Sequence, residues 1–269
     1  MQNILITGTK GFIGSNLKAE LSNQFKIWEI NEDIFQSEDW MDQLSNLFDQ
    51  VDFYTVFHVG ACTDTLEQNV NYMMLLNYQF TKHITDLCNK FDVNIIYSSS
   101  AANYGTNGTY PSNLYGWSKY VGEGYVISNK GIGLRYFNVY GPGEEHKGKM
   151  ASVAYQMYLK QKSGEKCFLF PKKPLRDFVY VKDIISANIY AMNNFSRLKG
   201  KEYEVGSGEA RAFEDVMNLM EIPFEYLDES VIPEGYQFYT CSDSNKWMPG
   251  WKPKYKLDSG IKSYKECFK

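Results

Sequence analysis

Five apolar runs, separated by stretches of helical spacing, divide the first 140 residues. The runs are Asn3–Thr7, Ile27–Asn31, Phe53–Val59, Val93–Ile96 leading to Ser98-Ser99-Ser100, and Ile132–Phe137. Runs of this length suit strands, and apolar residues three to four apart suit one face of a helix. Leu17 and Leu21, with Phe25 close behind, predict a first helix; Trp40, Leu44 and Leu47 share a face in a second over Trp40–Phe48. Tyr72–Asn89 reads as a long helix, and another carries Tyr115 and runs to about Ser128. Strand alternating with helix across short turns argues for an α/β fold with a parallel sheet covered on both faces. Asp33-Ile34 comes almost at once after the second run, so the usual second crossover helix is expected to be shortened or missing.

Beyond residue 143 the pattern loosens. Arg176–Val181 looks like a strand entry, Val205-Gly206-Ser207-Gly208 a strand-to-turn, Phe213–Met220 a surface helix and Leu257–Phe268 a short amphipathic one.

The chain has 269 residues, 43% hydrophobic and 22% charged, ordinary for a globular protein with ample core. No apolar run approaches the roughly 20 residues of a membrane span. A net charge of −4 argues against nucleic acid as the default partner. Five cysteines without a C-x-x-C pair, and a start lacking a secretory apolar segment, point to reduced thiols and a cytoplasmic protein. No metal-ligand spacing stands out.

Directly after the first strand comes Gly8-Thr9-Lys10-Gly11-Phe12-Ile13-Gly14, which opens a helix. Glycines there let the backbone turn tightly and approach a pyrophosphate at the helix N-terminus. The expected acid at the end of the second strand, which would bind the adenosine ribose, is replaced by Asn31, with Glu29 and Asp33 as alternatives; Asn31 is equally a plain turn residue. A neutral Asn31 does not repel a ribose 2′-phosphate, so NADP is admissible beside NAD. Small residues at Gly60-Ala61 would let a cofactor lie against the strand end. His58, inside an apolar run, reads as a satisfied core histidine.

Tyr115-Gly-Trp-Ser-Lys119 puts a phenol and an ammonium one helical turn apart. An adjacent ammonium favours the phenolate, so Tyr115 is expected to have a lowered pKa and to accept a proton from an alcohol. Ser100, at the end of the fourth strand, could bond the same alcohol. In the second half, Lys147, Lys149, Lys172, Lys173 and Arg176 form a basic set that could face a diphosphate, although Lys172 and Lys173 read equally well as solvated lysines.

In order, the glycine loop, Ser98-Ser99-Ser100, Tyr115–Lys119 and Arg135-Tyr136-Phe137-Asn138-Val139-Tyr140-Gly141-Pro142 resemble the extended short-chain dehydrogenase/reductase superfamily and its nucleotide-sugar enzymes. Phe57–Cys62, Tyr72-Met73-Met74, Asn77-Tyr78-Gln79, His146–Ala154 and Arg176–Val181 resemble its ADP-L-glycero-D-manno-heptose 6-epimerase branch. The resemblance implies a Rossmann-like doubly wound sheet with a smaller α/β substrate lobe. Residues 1–143 would bind the dinucleotide, with 177–195 packing back on them, and 144–269 would be mainly the lobe. It implies Ser100, Tyr115 and Lys119 as catalytic residues and Lys147 as a second base. Gly8, Gly11, Phe12, Ile13, Gly14, Asn31, Asp33, Ile34, Gly60, Ala61, Asn77 and Val139 would lie at or beside NAD or, by preference, NADP. Thr63, Asn138, Lys149, Gln156, Phe170, Arg176 and Tyr236 would contact the nucleotide sugar, with Gln156 replacing a histidine and Lys149 a serine. A homo-oligomer is expected. The reaction implied is epimerisation through a transient ketone. A 4,6-dehydratase would need an acid pair where Ala101-Ala102 stand. A reductase or dehydrogenase, or a non-catalytic dinucleotide-binding protein, remains open.

Overall fold

The computed structural model describes residues 1–106, 108–233 and 236–268. In chain order the first half gives β1 (Asn3–Thr7), α1 (Phe12–Leu21), β2 (Lys26–Ile30), α2 (Trp40–Gln50), β3 (Phe53–His58), α3 (Val70–Met74), α4 (Phe80–Lys90), β4 (Asn94–Ser100), α5 (Leu114–Ser128) and β5 (Ile132–Tyr136). The second half gives β6 (Asn138–Tyr140), α6 (Val153–Lys162), β7 (Phe168–Leu169), β8 (Leu175–Tyr180), α7 (Val181–Asn193), α8 (Phe195–Leu198) and β9 (Lys201–Val205). It closes with β10 (Ala210–Ala212), α9 (Phe213–Met220), β11 (Glu225–Tyr226) and α10 (Leu257–Lys265). The chain divides into two compact units, Met1–Arg135 with Ile185–Tyr203, and Tyr136–Ile184 with Glu204–Lys269.

The first unit is built on a six-stranded sheet of order β2-β1-β3-β4-β5-β9, with β1 parallel to both β2 and β3, and β3 parallel to β4. Sequence order reverses direction at β1, so the carboxyl ends of β1 and β3 flank the switch point where open α/β sheets bind ligands. After β2 the chain makes a single 3-10 turn, Glu32–Gln36; α2 then crosses to β3 on the far side of β1, leaving β2 at the edge. Asn31 is therefore not the last strand residue but the cap of that turn.

α2 buries Trp40, Leu44 and Phe48, and the expected Leu47 packs half-buried against the same core; residues 40, 44 and 48 repeat every four and stay on one face. Trp40, Phe80 and half-buried Phe35 pack edge to face at 5.1–5.7 Å, each fully buried ring contributing roughly 1.5–3 kcal/mol. The long helix expected over 72–89 spans 70–90 and is interrupted at Leu75–Gln79 by one π-turn that joins α3 to α4.

The second unit holds a three-stranded sheet, β10-β8-β6, with β8 antiparallel to β10 and parallel to β6. Leu257, Ile261 and Tyr264 form the buried stripe of α10, and Tyr264 lies 6.2 Å from the ring of Tyr140. Asp177 is fully buried on β8. Its carboxylate accepts five hydrogen bonds of 2.6–3.0 Å, from the amides of Ser207, Gly208 and Ser242 and the hydroxyls of Ser207 and Ser242. A buried carboxylate is tolerable only with its lone pairs met in this way.

Candidate active site

The loop after β1 is closed to anything larger than glycine at two points. Gly8 has φ +71°, and a Cβ there would lie 2.6 Å from the Cα of Gly60; a Cβ on Gly14 would run into the carbonyl oxygen of Gly8. The two strand ends thus touch backbone to backbone. Gly11 begins α1 with no side-chain cap, so the first helical amides face outward with a positive partial charge. That cradle fits the pyrophosphate of a dinucleotide. Phe12 offers only backbone to it, because its ring is buried in the core. Ile13 and Gly60-Ala61 are half-buried, and Thr63 is exposed.

At the rim, Asn31 uses its amide locally: Oδ1 accepts the Lys10 amide at 3.0 Å and Nδ2 donates to Thr9 at 3.1 Å. Glu29 is turned to Lys18 (2.7 Å) and Thr9 (2.6 Å), and these contacts lower its pKa. Asp33 is exposed and pairs with Lys10 at 3.1 Å. Ile34 packs on the core beside them.

A buried polar chain braces the next strand end. The Gly60 amide donates to Thr7 Oγ1 (2.8 Å), which meets His58 Nδ1 (2.9 Å); His58 Nε2 meets Thr81 Oγ1 (2.8 Å), which donates to the Asn77 carbonyl (2.9 Å). Thr81 spends its proton on Asn77, so His58 carries its own on Nε2 and accepts from Thr7. Burial drives the His58 pKa down to about 3, and the ring is a neutral strut, as its apolar setting suggests. Asn77 is expected at or beside the cofactor. Its side chain is buried, accepting the Cys62 amide (2.7 Å) and donating to the Cys62 carbonyl and Ser118 Oγ (both 2.9 Å). With those groups engaged, it clamps the Gly60–Cys62 loop to α5.

α5 starts where Asn113 accepts the Gly116 amide at 2.8 Å, which sets Tyr115 in the first turn. Ser100 lies close enough to the Tyr115 phenol to act on its pKa. Its pKa, however, is raised: desolvation dominates, the nearby Ser100 hydroxyl lowers it in part, and the neighbouring Cys62 raises it again. Lys119 does not produce the expected depression because it is itself 2% exposed; burial brings its pKa down to about 7, Glu123 raising it in opposition. Its Nζ sits 4.1 Å over the ring of Tyr97. Glu123, one turn further, is held in two-pronged contact by Arg135 at 2.5–3.1 Å, and Arg135 also donates to Tyr104.

In the second unit Phe170, Arg176 and Tyr236 come together. The Arg176 guanidinium lies 5.3 Å from the Tyr236 ring and 5.7 Å from that of Phe213, and Phe170 meets Tyr236 edge to face at 5.2 Å. Burial lowers the Arg176 pKa. Gln156 donates to the carbonyls of Lys149 (3.1 Å) and Ala151 (2.7 Å), steadying the loop that bears Lys147. Lys147 is half-buried and its pKa is lowered by desolvation, Glu144 opposing. Asn138 is exposed and Val139 half-buried on β6. Lys172 leaves the expected basic set: it pairs with Glu229 at 2.8 Å, both side chains exposed, from a turn in which Lys172 and Lys173 have φ +67° and +47°. Sequence reading missed Glu144 and Asp177, whose partners Tyr264, Ser207 and Ser242 lie far along the chain; a carboxyl pair, Glu144-Glu145, close to Gly141 and Gly143 was the available signal.

Among the described residues no helix is long and apolar enough to cross a membrane. Residues 4–206 match the NAD dependent epimerase/dehydratase family. An ADP-L-glycero-D-manno-heptose-6-epimerase of Brachyspira hyodysenteriae is 32% identical over 98% of this chain and 96% of its own length. One from Pseudomonas aeruginosa is 37% identical over 80% of this chain and 76% of its own. The crystal structure of the Helicobacter pylori ADP-L-glycero-D-manno-heptose-6-epimerase superposes with a TM-score of 0.86, 28% identity, and coverage of 99% of this chain and 96% of that one.

Proposed function

The chain belongs to the NAD dependent epimerase/dehydratase family, and from that membership we propose an NAD(P)-dependent epimerase that inverts carbon 6 of an ADP-heptose. The observation that carries this reading is Ser100 beside the Tyr115 phenol with a buried Lys119 one turn along, on a chain similar to heptose epimerases over nearly its whole length. The first unit is read as the dinucleotide-binding part and the second as the substrate-binding part.

The Gly8–Gly14 cradle would hold a nicotinamide dinucleotide, which would supply a reversible hydride acceptor. Tyr115 moves the alcohol proton. Because burial keeps the phenol protonated, it is poised to protonate a ketone oxygen; the phenolate so formed takes the alcohol's proton back in the reverse direction. Ser100 donates to the oxygen as negative charge develops there. Inversion needs a second proton donor for the other face, and Lys147, its amine made less basic by burial, is assigned that part. Phe170, Arg176 and Tyr236 suit a base and a diphosphate, through ring faces and a guanidinium.

NADP is favoured over NAD, since Asn31 bears no charge and the Lys10 amine stands at the same rim. Assembly into a homo-oligomer is part of the reading.

The test is incubation with ADP-L-glycero-D-manno-heptose and a panel of other nucleotide-diphospho-sugars in deuterated buffer, reading each stereocentre by NMR. Inversion of carbon 6 without solvent deuterium on that carbon is expected. Deuterium at the inverted carbon, or net turnover of NAD(P)H, would sink the reading, the latter in favour of a reductase.

A further inference from the structure

The loop between β6 and α6 carries Lys147 and has reason to be loose. It contains Gly141, Gly143 and Gly148, and the chain reverses at Gly148 with φ +52° immediately after Lys147. Glycines lose the most backbone freedom on ordering, and each ordered residue costs roughly 1–2 kcal/mol. One side chain collects what holds this loop. Glu144 is fully buried, and its carboxylate accepts the Gly141 amide (3.2 Å), the Ser152 amide (2.5 Å), the Ser152 hydroxyl (2.7 Å) and the Tyr264 hydroxyl (2.8 Å). It therefore ties the loop's entry to its exit, where Ser152 caps α6, and pins both to α10. The Glu144 carbonyl accepts the amide of Lys147 at 3.0 Å, which fixes where the Lys147 side chain departs.

Holding a loop does not require a charge. A buried carboxylate is costly to desolvate, and a neutral or apolar group often does as well. What a charge adds here is its sign, three residues from an amine that burial is driving towards neutrality. We propose that Glu144 is a positioning residue for Lys147, anchoring its loop and supplying the fixed negative charge that keeps its amine protonated and able to act as an acid. This rests on the assignment of Lys147 as the second acid/base. Other titratable groups that feel Glu144 are Tyr155 on α6 and Tyr264 on α10; both phenols are pushed above their ordinary values, the opposite direction to Lys147. Glu145, His146 and Lys149 flank Lys147 on the loop itself.

The experiment compares wild type with Glu144→Gln, Tyr264→Phe and Lys147→Met, measuring kcat and KM for inversion, the pH profile of kcat, and disproportionation of a carbon-6 aldehyde analogue, which needs only Tyr115. Glu144→Gln should lower kcat for inversion about a hundredfold, the scale of an ångström of misplacement, with KM and disproportionation within about threefold of wild type. Its alkaline limb should move to lower pH, because an acid whose pKa falls loses its proton sooner. Tyr264→Phe removes one donor and no charge, so it should cost stability and leave the limb in place. Should Glu144→Gln fail to fold, Glu144→Asp keeps the charge and shifts it: inversion falls while the limb stays. An unmoved limb in Glu144→Gln, or disproportionation falling in step with inversion, overturns the proposal. If Lys147→Met itself inverts at near the wild-type rate, the assignment of Lys147 fails first, and the role given to Glu144 falls with it.

Discussion

Replacing Lys119 with methionine should make the protein more stable and inactive in one step. The amine is 2% exposed and its pKa stands at about 7 against an ordinary 10.5, burial outweighing the opposing charge of Glu123. The difference, 10.5 − 7, at about 1.36 kcal/mol per unit is roughly 5 kcal/mol at and below neutral pH. That is a ceiling, since methionine forfeits the contact with the Tyr97 ring. A net gain of about 2 kcal/mol would raise Tm by roughly 4–8 °C for a chain of this length. The sign with pH is specific. Unfolded, Lys119 keeps its proton to about 10.5; folded, only to about 7, so between those values the unfolded state binds more protons and wild-type stability rises with pH. The gap to the variant should be full below pH 7 and close towards 10.5. Urea denaturation of dinucleotide-free protein over that range measures it, because a bound ligand would add its own stabilisation. A gap that does not change with pH, or a variant less stable than wild type near pH 6, refutes the reasoning.

Tyr115→Phe should keep the fold and the bound dinucleotide but lose turnover by several orders of magnitude, since it removes only the transferable proton; activity within about tenfold of wild type would remove Tyr115 from its role. Asn31→Asp should tilt the dinucleotide carried by the purified protein from NADP towards NAD, by placing a negative charge at the rim; identification of the extracted nucleotide decides, and wild type carrying NAD alone would make Glu29 or Asp33 the ribose acid. Asp177→Ala, which strips the acceptor from the buried amides and hydroxyls of Ser207 and Ser242, should cost about 3–5 kcal/mol in chemical denaturation, and a loss under 1 kcal/mol would show that the second unit does not depend on it.

What could be read from the sequence was what lies close together along it. The Gly8–Gly14 loop, the Ser100 strand end and the Tyr115–Lys119 turn each declare themselves within seven residues, and the alternation of runs around them gives the sheet. Burial does not announce itself that way. The spacing of Tyr115 and Lys119 suggested an ammonium assisting a phenol, whereas desolvation of both sets their pKa values. Asn77 reaches Cys62 and Ser118, fifteen and forty-one positions away, and Glu144 reaches Tyr264 across 120, so their roles exist only once the chain is folded. Leu47 and Phe48 are adjacent, and only the four-residue repeat from Trp40 separates them.

The widened turn at Leu75–Gln79 makes this part of the protein sensitive to arithmetic more than to chemistry. A π-turn accommodates one residue beyond the α-turn it interrupts, and each residue advances a helix by about 100°. Above it Met73 faces the interior, within it Asn77 holds the Cys62 loop, and below it Phe80, Ile84 and Cys88 enter the core. Losing one residue from the turn would let the helix close into a regular α-helix with its hydrogen bonds complete, yet rotate one half against the other. Either the Phe80 face would leave the core or Asn77 would leave Cys62. Over evolutionary time this stretch should therefore accept exchanges of side chain far more readily than any change in its length, in contrast to the neighbouring loops.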